Sequence, residues 1–283
     1  MAPELEVTQP VPGPARAVRD SVVLSRLDHL VQVRVSGGGA YEGMSRVFPR
    51  ELYVRDGQLS QGLLLREDGV VWADCLLGND EGDYILLCEG PGGGEIVDHI
   101  RDHCQNVDGL EVSIPEGTSA VGIDGPYAWE LMANLVGPEV IGLPYLTFFH
   151  FDGVMCCRAG KTGEYGYVLL AEADDLTALW DELWTLGATL DVEEADLDLL
   201  DSCALENWFF NIRAEGSNEL TPLELQLQWR LSRRKTYIGS EALKNRLEEG
   251  IRRRITCITG EGPLVEGDDV HCDGSVRGRL VNA

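Results

Sequence analysis

Residues 158–168 read Arg-Ala-Gly-Lys-Thr-Gly-Glu-Tyr-Gly-Tyr-Val and lie between two apolar runs. Glycines occupy three of seven positions here, Gly160, Gly163 and Gly166, around a central Thr-Gly-Glu. A simple connection between two strands does not need three glycines. Because glycine adopts positive φ and has no Cβ, it lets another backbone or a flat ligand come close. The stretch therefore predicts a loop, residues 160–166, that lines a ligand pocket.

The segments around this loop alternate between apolar and polar residues as β-strands do. Strands are predicted at residues 145–151, 154–158 and 165–170, followed by a helix at 174–186. An earlier set at residues 60–65, 70–77 and 84–88 predicts an antiparallel meander. Two sheet-and-helix halves of similar order suggest a pseudo-repeat, with identity too low for a tandem array.

The composition of the chain excludes several classes of binding partner and site. The chain has 283 residues and a formal net charge of −25, which repels phosphate backbones and argues against nucleic acid. No run approaches the 18 or so apolar residues that a membrane helix needs. The eight cysteines form no Cys-x-x-Cys pair, so neither a zinc site nor a disulfide framework is indicated. We expect a cytoplasmic protein with reduced thiols and, over the Pro- and Ala-rich residues 1–19, a flexible segment.

A row of Glu95, His99 and His103 at i, i+4 spacing lies on one face of a predicted helix. Such a row can bind a metal, but it is more typical of a solvated helix face. We therefore predict no metal site.

Six separated motifs follow one another in a recognisable order. They are Glu67–Asp74, Ala120–Ala128, Arg158–Val168, Asp201–Glu206, Leu220–Glu224 and Tyr237–Leu243. In this order they resemble the glycine-cleavage T-protein family (aminomethyltransferase, folate-binding). The third is nearly its signature Arg-Thr-Gly-Tyr-Thr-Gly-Glu-x-Gly-Tyr-Glu. The resemblance covers roughly residues 20–258, as in a divergent member with a shortened C-terminal domain.

The resemblance implies an α+β fold: a multi-subdomain disc around a central ligand cavity, with antiparallel sheets and flanking helices. The implied organisation is a folate-binding-type core over residues 20–250, made of halves at about 20–140 and 141–250. A truncated C-terminal β module would follow at residues 251–283.

The resemblance also implies site residues. The second Asp of the family's Asp-Asp pair falls on Asp74, and the family's Tyr falls on Lys161. Val168 stands in place of the pterin-binding Glu, and Leu200 in place of an Arg. Tetrahydrofolate is the implied cofactor, yet Lys161, Val168 and Leu200 argue against its usual pose, because valine accepts no hydrogen bond from the amino-pyrimidinone edge of a pterin.

Asp74 and Lys161 are the candidate catalytic residues. A carboxylate at a strand end beside a half-buried pocket can act as an acid, a base or an electrostatic group, and a lysine between glycines is held close to any ligand. The candidate ligand-binding residues are Gly160, Gly163, Glu164, Gly166, Tyr167, Val168 and Trp229. The competing interpretations are a solvated Asp74 or Lys161, a Glu164 that only organises the loop, and a Trp229 that belongs to the core.

The leading functional hypothesis is a T-protein-type one-carbon transferase that acts on a small molecule. One alternative is a folate-independent biosynthetic enzyme that uses Asp74 and Lys161 as an acid–base pair. Another is a non-catalytic binding or assembly protein on the same scaffold, whose short C-terminus leaves an open edge for a partner protein or a second copy.

Overall fold

Two β-sheets face each other, and helices cover their outer sides. The computed structural model describes residues 13–260 and 262–283. The strands of the described residues are β1 (Val23–Arg26), β2 (Val31–Ser36), β3 (Leu59–Leu65), β4 (Val71–Asp80), β5 (Asp83–Glu89), β6 (Glu111–Ser113), β7 (Thr118–Asp124), β8 (Phe148–Phe151), β9 (Val154–Cys157), β10 (Gly166–Glu172), β11 (Glu193–Ala195), β12 (Asp269–Cys272) and β13 (Ser275–Arg279).

The helices lie between these strands and near the C-terminus. They are α1 (Pro14–Asp20), α2 (Ala40–Val47), α3 (Gly93–His103), α4 (Ala128–Val136), α5 (Ala173–Leu186), α6 (Leu197–Glu206), α7 (Ile212–Glu215) and α8 (Ser240–Glu249). Short 3-10 turns occur at Pro138–Gly142, Gly216–Asn218 and Gln228–Arg230. Among the described residues, no helix combines the length and apolarity that crossing a membrane requires.

The larger sheet has six strands in the order β11-β1-β7-β10-β9-β8. All its pairs are antiparallel except β1 with β11. Successive side chains of a strand point to opposite faces, so Tyr167 and Leu169 of β10 pack in a core with α4 and α5. Val168 and Leu170 face the other way and contact the second sheet.

The second sheet has five strands in the order β3-β4-β5-β2-β6. Its outer face packs against α2 and α3 through side chains such as Leu77 and Leu86. Its inner face contributes Ile85 and Leu87 to the core shared with the six-stranded sheet. The cavity described below lies where these two inner faces meet.

The structure agrees with the predicted α+β class, its antiparallel sheets and its flanking helices. Two predicted boundaries need correction. Residues 14–19, expected to be flexible, belong to α1, which buries Ala17 and Val18 and begins with Pro14 in its first turn. Residues 1–12 lie outside the described residues. The boundary near residue 140 does not separate the sheets, because β1 and β7 from the first half join β8–β10 from the second.

The C-terminal region contains less strand than predicted. Residues 251–260 form no strand, and the β structure of this region is the two-stranded hairpin of β12 and β13. Every residue of β13 is exposed. The alternation that predicts a strand from residue 251 has no neighbouring strand with which to pair.

Candidate functional site

A cavity of about 110 Å³ lies between the two sheets. This is several times the space that one water molecule needs. Part of its lining is apolar and includes Leu27, Leu30, Leu87 and Val168. Charged side chains from both sheets and from the C-terminal third of the chain also line it, namely Asp74, Glu89, Lys161, Asp201, Arg213 and Arg230.

Asp74 reaches this cavity because of its position in β4. Its neighbours Ala73 and Cys75 point outward into the core with α2 and α3, so Asp74 points inward. The side chain is almost completely buried, with 5% of the residue exposed. Lys161 Nζ donates to its Oδ2 at 2.8 Å, and Arg230 Nη1 donates to its Oδ1 at 2.6 Å. Both carboxylate oxygens are therefore fixed by cations.

Glu89 sits beside Asp74 because the β4–β5 hairpin pairs the two positions directly. Lys161 Nζ donates to Glu89 at 2.6 Å, and Arg213 donates both to Glu89 and to Asp201. Burial alone would raise the pKa of the Glu89 carboxyl, but Lys161 and Arg213 outweigh it and lower that pKa to about 2. A chain of alternating charges, from Arg230 to Asp201, thus lines the wall.

Lys161 is a fixed cation in this chain. Burial lowers the pKa of its ammonium, but the charges of Asp74 and Glu89 prevail and raise it above the ordinary value. An ammonium has three N–H donors, and Asp74 and Glu89 accept two of them. About a third of the side chain stays exposed. Lys161 can therefore present its remaining N–H to a ligand, but it does not suit the role of a base at neutral pH.

Asp124, the last residue of β7, is a second buried carboxyl on the cavity. Thr162 Oγ1 donates to its Oδ1 at 2.7 Å. Burial raises the pKa of Asp124 to about 7, although the Thr162 hydrogen bond and the Arg158 charge lower it. It is the one acid of the cavity wall without an ion-pair partner among the described residues.

The structure separates the predicted ligand-binding residues into three groups. Gly160 and Val168 line the cavity together with Asp74 and Lys161. Gly166 lies directly behind the Asp124 carboxyl, since a Cβ there would be 2.6 Å from Asp124 Oδ1.

The third group is placed away from the cavity. Tyr167 is fully buried on the opposite face of β10, and its hydroxyl donates to the Val140 carbonyl at 3.3 Å. Strand alternation explains this correction, because the neighbours of Val168 must face the other core. Gly163 has φ 79° and packs against Asn207.

Glu164 and Trp229 have other contacts. Glu164 accepts a hydrogen bond from Arg19 of α1 at 2.8 Å, which ties the loop to that helix. Trp229 is neither core nor cavity wall: about half of it is exposed, and the Arg230 guanidinium lies 4.9 Å from its ring centre. It borders a second pocket of about 300 Å³.

The row on α3 does not converge on one point. Glu95 accepts from the Gly92 backbone N–H at 2.9 Å, at the helix start. His99 packs on Trp72 with ring centres 4.6 Å apart, and burial lowers its pKa to about 4. His103 contacts Glu67 at 3.3 Å. The described residues hold no group of three metal-binding side chains.

The positions that correspond to pterin-binding residues do not fit a pterin in the expected way. Val168 packs with Leu27 and Leu170 in the core between the sheets, and Leu200 packs beside the same core. Neither side chain accepts or donates a hydrogen bond.

Five charged cavity residues were missed at the sequence level, namely Glu89, Asp124, Asp201, Arg213 and Arg230. Glu89 could have been predicted from a two-residue hairpin turn at Glu81-Gly82. The structure has that turn, with positive φ at both residues. Counting outward from that turn places Asp74 opposite Glu89. Arg213 and Arg230 come from irregular segments far along the chain, where no periodic pattern indicates direction.

Comparison with known proteins adds independent evidence. The model of the GCVT N-terminal domain family matches residues 6–235. An aminomethyltransferase of Thermotoga petrophila is 26% identical over 274 residues, which cover 94% of this chain and 75% of the relative. One of Corynebacterium aurimucosum is 27% identical over 254 residues, covering 85% of this chain and 68% of the relative.

The fold is similar to that of a solved structure. The crystal structure of glycine cleavage system aminomethyltransferase T from Bartonella henselae matches with a TM-score of 0.74 and 21% identity. The match covers 83% of this chain and 66% of that one. The chain thus spans about two thirds of that protein.

Proposed function

The chain belongs to the GCVT N-terminal domain family, and on that premise we propose that it transfers a one-carbon unit to or from a small molecule bound between the two sheets. The observation that carries the proposal is the position of Asp74. Its carboxylate lies on the cavity wall, at the position that corresponds to the family's second Asp, and its two oxygens are held by Lys161 and Arg230.

This geometry suits charge stabilisation. When a bond between carbon and a heteroatom breaks, positive charge develops on the carbon unit, and a carboxylate beside it lowers the barrier if its position is fixed beforehand. Asp74 needs no reorganisation, because the ion pairs to Lys161 and Arg230 already orient it. Apolar side chains line the same cavity, and the lower local dielectric beside them strengthens the effect.

Lys161 binds rather than transfers protons in this proposal. Its charge is maintained by Asp74 and Glu89, and its third N–H is free to hold a carboxylate or carbonyl oxygen of the substrate. The acid–base pair considered as an alternative function therefore becomes an electrostatic pair. A neutral substrate, or a zwitterion with one carboxylate, suits the balanced charges of the wall.

Tetrahydrofolate is the acceptor that the aminomethyltransferase relatives suggest. The residues at positions 161, 168 and 200 do not reproduce the expected pterin contacts, so we assign no step to this cofactor. The same residues favour the second candidate function, a folate-independent enzyme that uses the same cavity.

One experiment separates the candidates. The purified protein is incubated with a panel of methylated amines, thioethers and ethers, with and without tetrahydrofolate, and loss of the one-carbon unit is followed by mass spectrometry. Turnover that requires tetrahydrofolate supports the folate-linked transferase, and turnover without it supports the second candidate. Absence of turnover under both conditions would contradict the enzyme proposal and favour a binding or assembly role.

A further inference from the structure

The tip of the glycine loop, residues 161–164, is held by Arg19 of α1. Arg19 Nη1 donates to the Thr162 carbonyl oxygen at 3.3 Å and to Glu164 Oε1 at 2.8 Å. Its Nη2 donates to Glu206 of α6. Because a planar guanidinium carries five N–H donors in a fixed arrangement, this one side chain joins two helices to the loop. Arg19 is not among the residues that line the cavity.

The loop depends on side-chain contacts for its position. Among the described residues, no hydrogen bond between two backbone groups involves residues 160–164. The three glycines of the stretch also give its backbone more freedom than other residues would. The Thr162 carbonyl accepts from Asn207 Nδ2 at 3.0 Å as well as from Arg19, and Thr162 Oγ1 donates to Asp124. Loss of the Arg19 contacts would therefore leave few others to hold the loop in place.

The position of the loop affects the position of Lys161. Lys161 directly precedes Thr162, and its ammonium donates to Asp74 at 2.8 Å and to Glu89 at 2.6 Å. Hydrogen bonds of this kind extend to about 3.2 Å, so a backbone shift of about 1 Å lengthens or breaks them. A residue that fixes Thr162 and Glu164 thus acts on the charged lining of the cavity without touching it.

Arg16, on the same helix, provides a comparison. Its guanidinium pairs with Asp20 of α1 itself, and both side chains are more than half exposed. Such surface pairs contribute little to stability. The Arg19 side chain is only about a third exposed, and its partners are the loop and α6. The two arginines of α1 therefore have different roles.

We propose that Arg19 is a positioning residue of the cavity: it fixes the loop at Thr162 and Glu164, and through that backbone it keeps the Lys161 ammonium on Asp74 and Glu89. The consequence for turnover rests on the proposed function, because Lys161 affects a reaction only if the cavity carries one out. The local effect on the loop does not depend on that function.

A lysine-specific protease measures the local effect. The chain has three lysines, Lys161, Lys235 and Lys244, so the protease has three possible cleavage sites. Cleavage after Lys161 requires the ammonium to leave its two carboxylates, and its rate follows the population of the released loop. Cleavage after Lys244, which is exposed on α8, is the internal reference, because global unfolding accelerates both.

Three variants of the full chain are compared with the wild type. Arg19→Gln removes the charge and the paired donors, and we expect cleavage after Lys161, relative to cleavage after Lys244, to rise by about tenfold or more. Glu164→Gln keeps Arg19 but removes one charged acceptor, so the ratio should rise by a smaller factor. Arg16→Gln is the matched control and should leave the ratio at the wild-type value.

One-carbon turnover, on the methylated substrate that the wild type consumes, measures the effect on the reaction. Arg19→Gln should lower kcat/KM by about tenfold. In a chain that already carries Lys161→Met, Arg19→Gln should cause no further loss, because the side chain that it positions is gone. A merely structural role of Arg19 would lower the turnover of both chains by the same factor.

An unchanged cleavage ratio in a folded Arg19→Gln protein, or an equal rise in Arg16→Gln, would overturn the inference. Each variant is first checked for cooperative unfolding. If Arg19→Gln does not fold, Glu164→Gln decides, and an unchanged ratio in that variant overturns the inference as well. A raised ratio, with no one-carbon turnover by the wild type, would overturn only the proposed function. Wild-type turnover with an unchanged ratio in Arg19→Gln would overturn only the role of Arg19.

Discussion

Lys161 and Asp74 form a 2.8 Å ion pair that joins the two sheets. Lys161 comes from the loop between β9 and β10 of the six-stranded sheet, whereas Asp74 belongs to β4 of the five-stranded sheet. The same ammonium also binds Glu89 on β5. Lys161, one of the residues that differ from the family signature, therefore links the two halves of the cavity as well as shaping its charge.

Removal of this link should destabilise the protein. Lys161→Met retains the length of the side chain but leaves Asp74 and Glu89 with one cation each. We expect the free energy of unfolding to fall by about 1–3 kcal/mol, less than for a fully buried pair because Lys161 is partly exposed. Urea titration measures the change. Lys244→Met, on the exposed face of α8, is the control, and an equal loss in both variants would contradict the sheet-linking role.

Glu89 should account for part of the loss of folding stability at acidic pH. Its pKa is lowered from the usual 4.5 to about 2 in the folded chain, so the unfolded chain binds the proton first as the pH falls. Stability that is present above about pH 4.5 is lost between there and about pH 2, with a slope of up to about 1.4 kcal/mol per pH unit. Unfolding of wild type and Glu89→Gln between pH 6 and 3 tests this. Parallel curves would show that Glu89 is not responsible.

Asp124 should have the opposite pH dependence. Its pKa is raised from the usual 3.8 to about 7, so the folded chain binds the proton more tightly. Its contribution to stability is complete below about pH 3.8 and decreases as the pH rises towards 7, by up to about 1.4 kcal/mol per pH unit. Asp124→Asn cannot ionise and should gain stability relative to the wild type over this window. A constant difference between the two from pH 5 to 8 would argue against a buried titrating carboxyl.

The close contact between Gly166 and the Asp124 carboxyl predicts that a second substitution rescues the first. Gly166→Ala places a methyl group 2.6 Å from Asp124 Oδ1 and should destabilise the chain by about 1–3 kcal/mol. Asp124→Ala in the same chain removes this clash and should recover part of the loss. Gly94→Ala in α3, where nothing lies within 4 Å, should be neutral or stabilising, since alanine favours helix. If the double variant is no better than Gly166→Ala alone, the glycine serves another purpose.

Motif matching identifies Asp74, Lys161, Gly160 and Val168 as residues of one cavity, because linear motifs preserve position even when residue types change. It misplaces Tyr167, since motif order ignores strand alternation. Asp124 was also within one of the matched motifs, but only the strand register brings it beside the glycine loop.

Other features lie beyond sequence reasoning. Arg230 belongs to a single 3-10 turn and is directed to Asp74 by tertiary packing alone. Likewise, local alternation favours a strand from residue 251, but strand formation depends on a partner for its hydrogen bonds. The predicted boundary near residue 140 does not divide the two sheets for a similar reason. Pairing between distant segments decides which sheet a strand joins.

The most direct test of the account is one-carbon transfer by Asp74→Asn compared with the wild type, on whichever methylated substrate the wild type consumes. The variant keeps the size of the side chain and removes its charge, and calorimetry verifies that it is folded at the assay temperature. We predict a loss of kcat of about a hundredfold or more, with a much smaller change in KM. Wild-type turnover by a folded Asp74→Asn protein would contradict the central role of this carboxylate.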